Sequence, residues 1–112
     1  MAINSLLIST SPGAPVFTCP GDLNRPEVIQ EHAVTCMMFC NTGDNPVKLS
    51  VHYIKNTELI SNRNRVVNSL EIPAGETFTI DSEKVILETG DTIYAIADMD
   101  GLAVTVSTMR VS

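Results

Sequence analysis

The sequence predicts an all-β fold: a single antiparallel β-sandwich, jelly-roll or immunoglobulin-like, of about eight strands with an extended N-terminal arm. Short apolar runs of strand length recur along the chain and are separated by clusters of Pro, Gly, Asn and Asp, which reverse the chain between strands. Residues 47–53 alternate cleanly between apolar and polar, as a strand with one buried face requires. No segment predicts a helix.

Composition limits the classes of function. A chain of 112 residues is one domain and can bury a core without disulfide bonds. Seven basic against thirteen acidic residues give a formal net charge of −6, which argues against binding a nucleic acid backbone or an anionic membrane. No apolar run reaches the ~18 residues that cross a bilayer. The start lacks the basic segment of a secretory signal, so we expect synthesis in a reducing cytoplasm.

The first thirty residues are predicted to be an extended arm, followed by a sandwich domain over residues 31–112. Short strands are expected at residues 3–8 and 16–19. Four prolines exclude a helix and a central strand in this segment: Pro12, Pro15, Pro20 and Pro26. The arm either lies along the domain or reaches a neighbour; a frayed terminus is the alternative.

The first half of the domain contains two strands. Residues 33–40 form a nearly continuous apolar run, typical of a strand covered on both faces, and the turn cluster 41–46 ends it. In the alternating strand that follows, one face is expected to carry Val47, Leu49, Val51 and Tyr53, and the other Lys48, Ser50 and His52. A polar loop over residues 55–65 comes next.

The second half is arranged around a Pro-Ala-Gly turn at residues 73–75. Four residues share a period of two about this turn and are predicted to lie in the core: Leu70, Ile72, Phe78 and Ile80. Residues 92–97 are expected to form a central strand, and residues 98–101 a tight hairpin. Residues 103–111 then close the sheet, with Val104 and Val106 facing inward.

One group of residues has the spacing of a metal site on a helix: His32, Cys36 and Cys40. The residues between them favour a strand, where Cys36 and Cys40 would be about 13 Å apart. That distance excludes a shared metal and a disulfide between them. We therefore expect buried cysteines that pack as small hydrophobic side chains, with no metal and no cofactor. Cys19 could approach one of them across strands, but a reducing compartment opposes a bond.

Two pairs of carboxylates have the spacing of a general acid and base: Asp81 with Glu83, and Glu88 with Asp91. Neither pair is accompanied by a nucleophile or a signal for a pocket. Residues 98–101 are similar to the start of a calcium loop, but Met109 occupies the position of the bidentate Glu. We predict no catalytic residue and no enzymatic activity.

Arg63 and Arg65 form a local basic cluster on an otherwise acidic protein. Loops presented by a rigid sheet often make functional contacts, and Arg is enriched at protein interfaces. A solubilising loop is the competing interpretation. Together with apolar residues of the arm, the cluster gives a set of candidate interface residues: Ile3, Leu6, Leu7, Val16, Phe17, Arg63 and Arg65.

Three stretches carry a resemblance to a known type of protein: Ile72-Pro73-Ala74-Gly75-Glu76-Thr77, Leu87-Glu88-Thr89-Gly90-Asp91-Thr92-Ile93 and Ala103-Val104-Thr105-Val106-Ser107. With them, the chain resembles the small β-sandwich virion proteins of tailed bacteriophages, which include capsid decoration, neck and tail accessory subunits. The resemblance covers about residues 33–112, and it brings no catalytic residues.

The resemblance implies a non-enzymatic structural protein of the virion, made in the host cytoplasm. It implies a capsid decoration or cement subunit that forms homo-oligomers and contacts other virion proteins, either major capsid or tail proteins. A neck, baseplate or tail-fibre subunit is the nearest alternative. A glycan-binding adhesion module is another alternative. It is less favoured, because sugar sites usually present aromatic rings for stacking and the chain has no Trp and only two Tyr.

Overall fold

The computed structural model describes residues 2–8, 13–20, 30–56, 58–80, 85–99 and 101–111. Predictions that concern Asp81, Glu83 and Asp100, and two prolines of the arm, Pro12 and Pro26, lie outside these ranges. In chain order the strands are β1 (Ala2–Ile8), β2 (Ala14–Thr18), β3 (Glu31–Asn41), β4 (Val47–Ile54), β5 (Arg65–Ile72), β6 (Thr77–Ile80), β7 (Val85–Glu88), β8 (Thr92–Ala97) and β9 (Leu102–Arg110). A single turn of 3-10 helix, Asn62–Asn64, precedes β5.

The strands form two antiparallel sheets. Sheet A has the order β1-β9-β3, with β6 and β7 following one another along the remaining edge of β3. Sheet B has the order β2-β8-β4-β5. The predicted all-β sandwich is therefore confirmed.

The connectivity is that of a jelly roll. If β6 and β7 are counted as one interrupted strand, the first strand pairs with the last and the second with the second-last. The third pairs with the sixth and the fourth with the fifth. This nesting distributes the pairs alternately between two sheets, which is the jelly-roll arrangement.

The core lies between the sheets. From sheet A, Phe39, Val104 and Val106 are fully buried, and Leu49 and Val51 of sheet B meet them. The predicted inward faces of β4 and β9 are thereby confirmed, with Tyr53 half-buried at the margin.

The four residues predicted to be core about the Pro-Ala-Gly turn differ in burial. Ile72 is buried, whereas Phe78 and Ile80 are half-buried and pack against the core from β6. Leu70 is half-buried and lies outside the core cluster, so its predicted core position is wrong. It sits on β5, an edge strand of sheet B, where less of the opposite sheet covers it.

The described parts of the N-terminal segment are strands of the sandwich. β1 pairs with β9 along its whole length, and β2 pairs with β8. Each is an edge strand, so the sheets include residues on both sides of the predicted boundary at residue 30. Pro15 fits β2 because it lies at an edge, next to an irregularity in the register.

The predicted tight hairpin at residues 98–101 is wrong. The strands on its two sides, β8 and β9, belong to different sheets, so this connection carries the chain from sheet B to sheet A. The Pro-Ala-Gly turn also crosses between the sheets, from β5 to β6. It does close as a turn: the Glu76 amide donates to the Pro73 carbonyl at 3.1 Å, and Gly75 has a φ of +79°.

Candidate interaction surface

Among the residues that the structure describes, the outward side chains of sheet A are nearly free of charge. The backbone register places its outward side chains in four rows across the strands. The first row is Leu7, Ala103, Cys40 and Thr77; the second Ser5, Thr105, Met38 and Thr79; the third Ile3, Ser107 and Cys36; the fourth Met109, Ala33 and Ile86. These four rows are called the uncharged face below.

Large apolar side chains are concentrated on this face. Five of the ten exposed large hydrophobic residues of the described chain belong to it: Ile3 (69 %), Leu7 (67 %), Ile86 (58 %), Met38 (42 %) and Met109 (42 %). Among the described residues of sheet A, the outward charged groups next to the face are Glu31 and Glu88, which oppose each other beyond its fourth row. The outer surface of sheet B differs, because it carries Lys48 opposite Glu71.

Hydroxyl groups fill the space between the apolar side chains. The Ser5 and Thr105 hydroxyls are 3.3 Å apart across β1 and β9. Thr35 occupies an irregularity in β3 and donates its hydroxyl to the Ser107 carbonyl at 3.1 Å. Because a hydroxyl both donates and accepts, it can pair with almost any polar neighbour. The described side chains of this face therefore carry no charge that would repel a partner of either sign.

The three cysteines are free thiols in two different environments. Cys36 and Cys40 are half-buried on the uncharged face, so the expectation that they are buried is wrong for both. Cys19 is buried, and its thiol donates to the Leu87 carbonyl at 3.4 Å. Burial, and then the nearby Asp91 carboxylate, raise the pKa of the Cys19 thiol. Cys19 is therefore held in its unreactive thiol form.

His32 faces away from Cys36 and Cys40. Its ring contacts the ring of Phe17, with 5.7 Å between centroids, and its Nε2 donates to the Gln30 Oε1 at 2.8 Å. The other ring nitrogen, Nδ1, is buried without a hydrogen-bond partner among the described residues. Burial, and then the Arg110 guanidinium, lower the pKa of His32. His32 therefore lies on one side of β3 and the two cysteines on the other, so the three residues do not form the metal site that their spacing on a helix would give.

We expect the lowered pKa of His32 to make the protein less stable in mild acid. The unfolded chain takes up a proton near pH 6.5, whereas the folded chain resists protonation until a lower pH. The unfolded state therefore binds more protons in this window, and stability falls as the pH falls below about 6.5 towards the folded pKa. Urea unfolding measured across this window checks the slope. His32→Gln should flatten it, and an equally steep slope in that variant would contradict the assignment.

The predicted interface residues of the arm have different positions. Ile3 and Leu7 lie on the uncharged face, and Leu6 is opposite Val104 in the backbone register. Val16 is 4 % exposed and belongs to the core, and Phe17 packs against that core. β2 turns both side chains towards the opposite sheet, and a contact of either with a partner stays a prediction.

Arg63 and Arg65 have different surroundings, and their role in an interface stays a prediction. Arg63 is exposed in the 3-10 turn. The guanidinium of Arg65 donates to the Nε2 of His52 at 3.4 Å and to the Asn68 side chain at 2.8 Å. His52 lies on the predicted polar face of β4, yet it is 1 % exposed. The loop covers it, since Asn64 accepts from its Nδ1 at 2.8 Å.

The loop over residues 55–64 is held in place by Asn64. The Asn64 side chain donates to the Leu59 carbonyl at 2.9 Å and accepts from the Ser61 amide at 3.2 Å. Leu59 itself is 86 % exposed on this loop. Sequence composition indicated a polar loop but did not reveal that a buried histidine anchors it.

The Glu88 and Asp91 pair has a structural explanation. The two carboxylate oxygens of Asp91 accept from the Asn56 and Glu88 amides, each at 3.0 Å. Asp91 therefore joins the ends of β4 and β7, beside an open groove of about 410 Å³ that Lys55 and Ile86 help to line. In the described ranges, no three His, Cys, Asp or Glu side chains come together to hold a metal ion.

Sequence reasoning missed most of the uncharged face. Met38 falls in the predicted strand 33–40 and Met109 in the predicted strand 103–111, but no prediction assigns these residues or Ile86 to a side of the sheet. One signal could have found them: β9 has no charged residue from Leu102 to Met109, although every second position points outward. A strand whose outward positions are all uncharged is typical of a surface that another part of the chain or a partner protein covers.

Comparison with protein-family models gives no match, and no curated protein or solved structure matches the chain. Within the part of the chain that the structure describes, no helix is long and apolar enough to span a membrane.

Proposed function

We propose that this protein is a non-enzymatic structural subunit that works through protein–protein contacts. The observation that carries the proposal is the uncharged face, where exposed apolar side chains gather on a chain whose formal charge is −6. A solvated surface would be expected to carry its share of the twenty charged residues. A gathering of exposed apolar side chains on one face is typical of a site of interaction.

Burial of the face in a contact supplies the driving force. Each square ångström of apolar surface that leaves water contributes about 25 cal/mol, before the cost of association is subtracted. The sheet adds to this, because the backbone of its paired strands is already ordered before binding. Burial of apolar surface alone can therefore drive a contact made by this face, as a non-enzymatic role requires.

The biological setting we propose is the particle of a tailed bacteriophage, with the chain as a capsid decoration or cement subunit. The support is the sequence resemblance between residues 33 and 112, together with the jelly-roll connectivity, an architecture that viral capsid proteins use. The partners would be copies of the chain and other virion proteins. The same connectivity also occurs in lectins. All five aromatic residues lie in described segments and none is exposed, which weighs against stacking on a sugar.

Immunogold labelling of phage particles from host cells that carry this gene tests the setting. We expect antibodies against the chain to label intact capsid heads, and particles from cells lacking the gene serve as the control. Label confined to the neck or tail would support the alternative position in the virion. Particles that carry no label would overturn the proposal of a virion subunit.

A further inference from the structure

We propose that the uncharged face binds the same face of a second copy of this chain, with the two copies related by a two-fold axis. The inference rests on the proposed function, since it names the partner of that surface. It concerns the chain alone, however, and can be tested without a phage particle.

The distribution of charge favours a copy as the partner. In a two-fold contact every residue meets a residue of the same face, so a charged face would repel itself. The four rows carry no charge, and their outward groups are aliphatic side chains, thiols, thioethers and hydroxyls. Hydroxyls such as those of Ser5 and Thr105 can donate to their own copies and accept from them. A basic partner would instead be expected to select an acidic face on this chain.

Among the described charged residues, Glu31 and Glu88 bear on the orientation of the pair. They oppose each other beyond the fourth row, so a two-fold axis parallel to the strands would bring four carboxylates together. An axis that crosses the strands through the middle of the face puts the two acidic ends about 30 Å apart. That separation is several times the screening length at physiological salt. Like-charge repulsion therefore selects the second arrangement.

The face approaches the size of a specific contact. Strands about 4.8 Å apart and rows about 6.8 Å apart give roughly 450 Å² for the fourteen positions of the four rows. Two such faces bury about 900 Å², close to the lower limit of about 1,000 Å² expected of a biological interface. In this arrangement the two copies of Met38 lie on either side of the axis, offset by one row, about 7 Å along the strands.

Met38 is the position at which the pairing can be tested. We expect the natural chain to sediment at twice the mass of the monomer, and both M38E and M38K to sediment as monomers, because each places like charges beside the axis. An equimolar mixture of M38E and M38K should recover the doubled mass, since the opposite charges then meet. The control is L59E, which adds the same charge as M38E at a more exposed site away from the face, and it should remain dimeric.

Misfolded variants could not recover the doubled mass when mixed. The mixture therefore shows that the loss of dimer in M38E and M38K comes from charge repulsion and not from unfolding. A natural chain that is monomeric at every soluble concentration would overturn the pairing, and so would an M38E variant that stays dimeric or a mixture that stays monomeric. None of these results bears on whether the protein is part of a virion, and an absence of label on virions does not bear on whether two copies pair.

Discussion

Replacing Phe39 by alanine is expected to cost about 3–5 kcal/mol of unfolding free energy. Phe39 is fully buried on β3, between Val104 of β9 and Phe78 of β6 in the register of sheet A. Its ring lies 6.3 Å from that of Phe78, with 27° between the planes. Removing it leaves a cavity that rigid strands on both sides cannot fill. The cost is a large part of the roughly 5–15 kcal/mol that holds a domain folded.

The matched control is the neighbouring residue. Met38→Ala removes a side chain of similar size one position away, but on the uncharged face, where Met38 is 42 % exposed. We expect that variant to lose less than about 1 kcal/mol in dilute solution, where no partner covers the face. Urea unfolding compares the two free energies. Equal losses would mean that β3 is not oriented with Phe39 inward.

The fold could be predicted from the sequence because strand signals are local. The alternation from Val47 to Tyr53 and the apolar run before it indicated strands whose observed bounds differ from the predicted ones by no more than two residues. The pairing of the strands could not be predicted in the same way. The turn at residues 98–101 looks like a hairpin because Asp and Gly reverse the chain equally well within a sheet and between two sheets. In a jelly roll, most reversals cross between sheets.

The candidate surface was harder to predict for a related reason. Ile3 and Leu7 were found because they stand out in a short terminal strand. Ile86 was not, because an apolar residue within a strand gives no sign of which face it occupies until the register is known. His52 shows the opposite error: its polar neighbours on β4 indicated an exposed position, and only the folding of a distant loop buries it.

Asn41 is a fully buried polar residue at the end of β3, where the loop after β3 meets the turn after β5. Its side-chain nitrogen donates to the carbonyls of Asn45, at 2.7 Å, and Ile72, at 2.9 Å. Its side-chain oxygen accepts from the Gly43 amide at 3.0 Å. The backbone amide of Gly75 donates to the Asn41 carbonyl at 3.0 Å. One side chain therefore holds together the loop after β3 and the turn after β5.

Asn41→Asp should consequently destabilise the fold by roughly 3–5 kcal/mol at neutral pH, although the two side chains have nearly the same shape. The new carboxylate has no hydrogen to donate and turns an oxygen towards two carbonyl oxygens in a buried site. Asn45→Asp makes the same change on an exposed side chain and is expected to cost little. Urea unfolding of both variants at pH 7 gives the comparison.

The pH dependence of Asn41→Asp separates this cause from a loss of packing. Burial should raise the pKa of the new carboxyl in the folded state above its unfolded value of about 3.9. The folded variant then binds more protons than the unfolded one, so its deficit relative to Asn45→Asp should shrink as the pH falls through the raised pKa. Protonation restores one donor to one of the two carbonyls. A deficit that stays constant with pH would mean that the amide contributes only its shape, and that the loop after β3 and the turn after β5 are held by backbone hydrogen bonds.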